Sequence, residues 1–205
     1  MIYLSRVDKC FVPSDALYQC ARDRKVEPEQ IVQLGLPIRK GFWASSNDNT
    51  KKTRAPNKNI FEEIFGGGGK EQKNSNSDDA RKLQYREELG LMDGLPTVLI
   101  VGGGDGMGGI IQQAKAVGEK LNEKTGADNG EPAYQMVVVC GNNKSAQEAL
   151  SGNDWGTGVN VKVNGFVNNM DEWMRASDVI VTKAGPGTIA EASICGLPCM
   201  LSSYL

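Results

Sequence analysis

From Leu95 onward the chain repeats one pattern. A short apolar run is followed by a glycine- or asparagine-rich break, and then by a segment with apolar residues at helical spacing. The runs are LPTVLIV, AYQMVVV, VNVKV, DVIVT and LPCML. Each is too short for a helix, and most are rich in β-branched residues. The intervening segments GGIIQQAKAVGEKLNEKTG, NKSAQEALSG, NNMDEWMRAS and GPGTIAEASICG read as helices, with Asn168 or Asn169 capping the third. ARKLQYREELGL predicts one more helix ahead of the first strand. Buried strands alternating with helices predict an α/β domain, a Rossmann-like parallel sheet covered on both faces.

Upstream, residues 6–12 predict a short strand and PSDALYQCARDRKV a helix with Ser14 as N-cap. Ile31, Val32, Leu34, Leu36 and Ile38 predict a second strand, so residues 1–42 read as the end of another α/β unit. Residues 43–79 are rich in Asn, Ser, Lys and Gly and poor in apolar side chains. Such a composition cannot bury enough surface to offset its ordering entropy, and it predicts a disordered insertion or linker. The glycines at 66–69 lack the preceding strand and the Lys-Ser/Thr ending of a phosphate loop, and read as a tether. The main domain is expected over 80–205. A doubly wound sheet normally continues past a fifth strand, so the chain is expected to be a piece of a longer protein.

Composition narrows the chemistry. Lys and Arg total 23 against 25 Asp and Glu, so no broad basic field points to nucleic acid. No apolar run is long enough for a transmembrane helix. The first residues, MIYLSRVDKCF, match neither a signal peptide nor a transit peptide. Cys10, Cys20, Cys140, Cys195 and Cys199 are scattered without a CxxC pair and read as reduced, packed thiols. The chain has no histidine, which removes the commonest general base and metal ligand. Trp43, Trp155 and Trp173 read as packing or loop residues, with Trp155 expected at the surface.

Ligands of such sheets bind at the carboxyl ends of the strands. Four predicted loops converge there: GGGDGMGG, CGNNK, NGFVNNM and KAGPGTIAE. Gly102–Gly104 permit close backbone approach, which suits either a bare strand-to-helix turn or a phosphate. The match to a dinucleotide GxGxxG is loose, and MVVVCG carries no acidic residue for a nicotinamide-dinucleotide ribose. In KAGPGTIAE, Pro186 suits a helix start, and the amides around Gly187, Thr188 and Ile189 suit an anion. Glu191 could accept two hydrogen bonds from a ribose or could merely complement the helix dipole. Lys183 could neutralise phosphate or lie solvated.

These residues carry a resemblance. GGGDGMGGI, VVVCGNNK, VKVNGFVNNMDEWM and DVIVTKAGPGTIAEASICGLPCMLSSYL resemble the C-terminal half of the monogalactosyldiacylglycerol synthases, a plastid branch of glycosyltransferase family 28. VDKCFVPSDAL and QLGLPIRKGFW resemble the end of that family's N-terminal domain. The resemblance implies a GT-B architecture and inverting transfer of galactose from UDP-galactose to diacylglycerol. It implies no cofactor or catalytic metal, and peripheral attachment to the plastid envelope. Gly103, Gly104, Asp105, Gly106 and Met107 would line the phosphate side, next to Gly141. Phe166 and Val167 would meet the uracil through their backbone. Lys183, Ala184, Gly185, Pro186, Gly187 and Thr188 would surround the pyrophosphate, and Glu191 the ribose. The catalytic base is expected upstream of Met1 and the sugar-reading segment after Leu205, so the chain alone is expected to bind nucleotide without transferring sugar. A related UDP-glucose lipid transferase, or a non-catalytic nucleotide-binding subunit, would carry the same loops.

Overall fold

The computed structural model describes residues 7–43, 76–102, 109–125 and 130–203. They fall into two compact units, 1–39 and 40–205.

In the first unit, β1 (Cys10–Val12) and β2 (Ile31–Gln33) pair in parallel, connected through α1 (Asp15–Asp23). The Ser14 hydroxyl accepts from the Leu17 amide at 3.5 Å, so the expected cap is in place. Val12, Ala21, Val26 and Ile31 form the small core. The second strand stops well short of Ile38. Gly35 takes a positive φ of 81°, which ends the extended run and leaves Leu34 exposed.

The second unit begins with a single turn, Lys40–Phe42. Phe42 is buried there. Gly41 lies so close to Asp171 that a Cβ would sit 2.6 Å from its carboxylate. The first helix of this unit, α2 (Asn76–Glu88), starts ahead of Ala80. Its opening Asn, Ser and Asp residues give a sequence the polarity of a linker, but they also suit a first helical turn.

Five strands then pair in parallel: β3 (Thr97–Val101), β4 (Tyr134–Val139), β5 (Val159–Asn164), β6 (Val179–Lys183) and β7 (Cys199–Ser203). Between them run α3 (Ile110–Thr125), α4 (Lys144–Ser151), α5 (Met170–Ala176) and α6 (Pro186–Ile194). The strand order is β5-β4-β3-β6-β7. This is the Rossmann-like α/β sheet that the apolar runs predict. The register stacks Val161, Met136, Val98 and Val179 in one row, and Val163, Val138, Ile100 and Val181 in the next. Both rows join one core cluster with Ile110, Ala114 and Leu121 of α3 and Ala146 and Leu150 of α4. Because side chains alternate along a strand, Leu99, Val137 and Ile180 face the other layer and are fully buried as well. A register shift between Thr182 and Lys183 interrupts the β6–β7 pairing at its carboxyl end.

A buried polar network closes the amino edge of the sheet. The Asp178 carboxylate accepts from Arg86 Nη2 at 2.9 Å, from the Thr97 amide at 2.8 Å and from Lys82. Arg86 also donates from Nε to the Ala176 carbonyl and from Nη2 to Thr97 Oγ1, each at 3.0 Å. Gln135 donates to Thr97 Oγ1 at 2.8 Å and exchanges hydrogen bonds with the Met92 backbone. These groups tie α2 to the starts of β3, β4 and β6. Satisfying every member is what makes such burial tolerable.

Candidate functional site

The strand order creates a topological switch point. From β3 the chain proceeds through β4 to β5 on one side, then returns to lay β6 on the other side of β3. In such sheets the ligand crevice lies above the carboxyl ends of the strands at the switch point, here β3 and β6. All five strands are parallel, so the residues that follow β4, β5 and β6 lie on the carboxyl edge of the sheet. Three steps between neighbouring strands separate the β6 loop from the β5 loop, about 14 Å at the usual spacing.

Beside the crevice stands α6. Gly185 occupies its N-cap position without a side-chain cap, and Pro186 is its first residue. The first intrahelical bond of this turn runs from the Ile189 amide to the Gly185 carbonyl, 3.0 Å. The amides of Gly187 and Thr188 precede it and have no intrahelical acceptor. A Cβ built on Gly187 would meet nothing within 4 Å, and one on Gly185 would meet only Thr188 Oγ1 at 3.9 Å. The start of α6 thus presents amides and a hydroxyl to open space at the positive end of a helix. Lys183 and Ala184, both half-buried, lead into it from β6.

Glu191 lies in the second turn of α6 and is 5% exposed. No acidic residue occupies the first turn, to which favourable interaction with the helix dipole is confined.

Gly141, with φ of 60°, turns the chain sharply after β4. After β5, Gly165 passes so close to α4 that a Cβ would lie 2.8 Å from Gln147 Oε1. Phe166 follows, 64% exposed, and then Val167 and Asn169, both half-buried. The residues from Gly103 to Met107 lie outside the described residues. Gly102, just before them, donates to the Val139 carbonyl at 3.1 Å, which holds the root of that loop against β4.

Two expectations about individual side chains are refined. Trp155 is half-buried rather than at the surface: its ring rests on Gly118 of α3, where a Cβ would lie 2.8 Å from the indole, and its Nε1 donates to the Leu150 carbonyl at 3.1 Å. Cys140 is fully buried, and burial raises its thiol pKa above the ordinary value. A raised pKa means less thiolate at neutral pH. Iodoacetamide is accordingly expected to label Cys140 far more slowly in the native protein than in urea. Mass spectrometry that found rapid native labelling would contradict this packing.

A cavity of about 1040 Å³ opens at the opposite, amino edge of the sheet, walled in part by Asn122, Thr125, Trp155 and Gly158. Its polar lining already serves the fold. Asn122 accepts from the Gly158 amide at 2.9 Å and donates to the carbonyls of Gly118 and Trp155. Thr125 Oγ1 lies 2.9 and 3.0 Å from the Leu121 and Gly158 carbonyls. The carboxyl edge, where α6 begins beside open space over Gly187, is the stronger candidate.

The glycosyltransferase family 28 C-terminal domain matches residues 97–202, just over half of the chain. The chain belongs to this family of glycosyltransferases. It is 38% identical over 199 residues to the chloroplastic monogalactosyldiacylglycerol synthase of Spinacia oleracea. It is 38% identical to monogalactosyldiacylglycerol synthase 1 of Arabidopsis thaliana, and 37% identical to a probable monogalactosyldiacylglycerol synthase 3 of Oryza sativa subsp. japonica. These alignments cover 97% of the chain but only 30–32% of each relative, so the chain spans about a third of the length of the curated relatives it matches.

Proposed function

We propose that this chain is the donor-nucleotide part of an enzyme that transfers galactose from UDP-galactose to diacylglycerol in plastids. One observation carries the reading: the amide-bearing start of α6, beside open space over Gly187, borders the switch-point crevice of a family 28 domain. The names of the relatives support galactose as the sugar, diacylglycerol as the acceptor and the plastid as the compartment. Among the described residues no helix is long and apolar enough to cross a membrane. Peripheral contact with the envelope is the attachment we propose.

The roles we assign are those that the resemblance implies. The amides of Gly187 and Thr188, with the Thr188 hydroxyl, would hold the pyrophosphate, and Lys183 would offset its charge. The same groups would stabilise UDP as it leaves, because fixed dipoles aimed at developing negative charge need little reorganisation. No cofactor is proposed. Glu191 would accept hydrogen bonds from the ribose. Phe166 and Val167 would meet the base, at a distance from the α6 start that an extended nucleoside diphosphate can bridge. The loop at 103–107 and Gly141 would complete the phosphate side.

The test is calorimetric titration of UDP into the 205-residue chain and its Gly187→Val variant. The native chain should bind UDP. The variant should keep its melting temperature, since its side chain enters open space, yet lose about tenfold or more in affinity, ~1.4 kcal/mol. Equal affinity in the two proteins would remove the α6 start from the site.

A further inference from the structure

Among the described residues, the loop from β5 to α5 is tied by hydrogen bonds at its two ends. At its root, the Cys140 amide donates to the Asn164 carbonyl at 2.8 Å, and Gly165 abuts Gln147. At its far end stands Asn169, in the N-cap position of α5. An asparagine there ordinarily accepts from an amide of the first turn. Here its side chain makes no such cap. Oδ1 instead accepts from the Trp173 indole Nε1 at 3.2 Å, and Nδ2 donates to Glu172 Oε2 at 2.6 Å.

Trp173 is well placed to act as an anchor. It is 5% exposed, and the Lys162 ammonium lies 5.7 Å from the centroid of its ring. Lys162 is itself fixed by donating to the Leu89 carbonyl at 2.5 Å. A buried indole N–H needs an acceptor, and Asn169 supplies it. Between the two anchored ends, Phe166 and Val167 have no backbone hydrogen bond to any described residue. The direction of their amides and carbonyls therefore depends on where Gly165 and Asn169 are held.

We propose that the Asn169–Trp173 hydrogen bond positions the Phe166–Val167 backbone for recognition of the nucleobase. Asn169 and Trp173 are then positioning residues, and the ligand whose affinity they set is a nucleoside diphosphate, sensed at its base end rather than at its phosphates. This inference rests on the nucleotide reading above.

The experiment compares UDP with inorganic pyrophosphate as titrants of the full chain. Trp173→Phe keeps the ring and removes the donor. Asn169→Ala removes the acceptor from outside the core, so it serves if the tryptophan variant folds poorly. Asn169→Asp combined with Glu172→Gln keeps an acceptor oxygen for the indole without setting two carboxylates side by side. Trp173→Phe and Asn169→Ala should each weaken UDP about five- to tenfold while pyrophosphate affinity stays unchanged, and the Asn169→Asp/Glu172→Gln pair should stay within about twofold of the native chain for UDP. Native UDP affinity in Asn169→Ala would overturn the proposal and leave the nucleotide site standing. So would parallel loss of UDP and pyrophosphate with a lowered melting temperature, since that marks a role in stability alone. Failure of the native chain to bind UDP would overturn the nucleotide reading itself, and this inference with it.

Discussion

Asp178→Ala is expected to destabilise the second unit by about 3–5 kcal/mol in urea unfolding, the cost of stranding buried charges after their partner is removed. The reason lies in what the carboxylate satisfies. Asp178 is 3% exposed and Arg86 is 6% exposed. Without the carboxylate, the Thr97 amide, one Arg86 bond and Lys82 lose their acceptor at the amino edge of the sheet. A surface ion pair would lose about 0–1 kcal/mol instead, because water replaces the partner. The double variant Asp178→Leu with Arg86→Met should recover much of the loss, since an apolar replacement leaves no unpaired buried charge. A single-variant loss below about 1 kcal/mol would mean that water reaches the pair, and the network would not be the seal it resembles.

Glu191→Ala is expected to weaken UDP binding by about 1–3 kcal/mol, the loss associated with charge-assisted hydrogen bonds. The carboxylate lies beyond the first turn of α6 and is almost wholly buried, so hydrogen bonds from a ribose to it would be shielded from water. Glu191→Gln should lose less than the alanine variant, because one acceptor oxygen remains. The control ligand is inorganic pyrophosphate, whose affinity should hardly move if Glu191 meets the ribose. UDP affinity equal to that of the native chain would remove Glu191 from the site and leave its buried carboxylate to the fold.

Much of this architecture is legible in the sequence because the information is local. A parallel strand buried on both faces must be apolar without alternation, and β3, β4 and β6 are. A glycine-rich break after each such strand marks the carboxyl edge. Ser14 and Pro186 sit where helices start, as their backbone chemistry requires. The same local reading misjudged elements whose cause is distant. Leu36 and Ile38 have the composition of a strand, but Gly35 ends β2 first. Asn76–Asp79 has the composition of a linker but opens α2. Phe42 looks like a domain's last residues and is buried in the next unit.

By itself, then, the sequence determined the class of fold, the edge that carries the glycine-rich loops and the position of the helix start at Pro186, since each is written within a few residues. Tertiary structure alone decided which loops stand side by side. Strand order sets β6 beside β3 and brings Asp178 to Arg86 across 92 positions of chain. It also decided that Asn169 would bond an indole instead of capping its helix. Pairings of that kind are chosen by packing, where a buried donor takes the nearest acceptor, and no local pattern encodes which acceptor that will be.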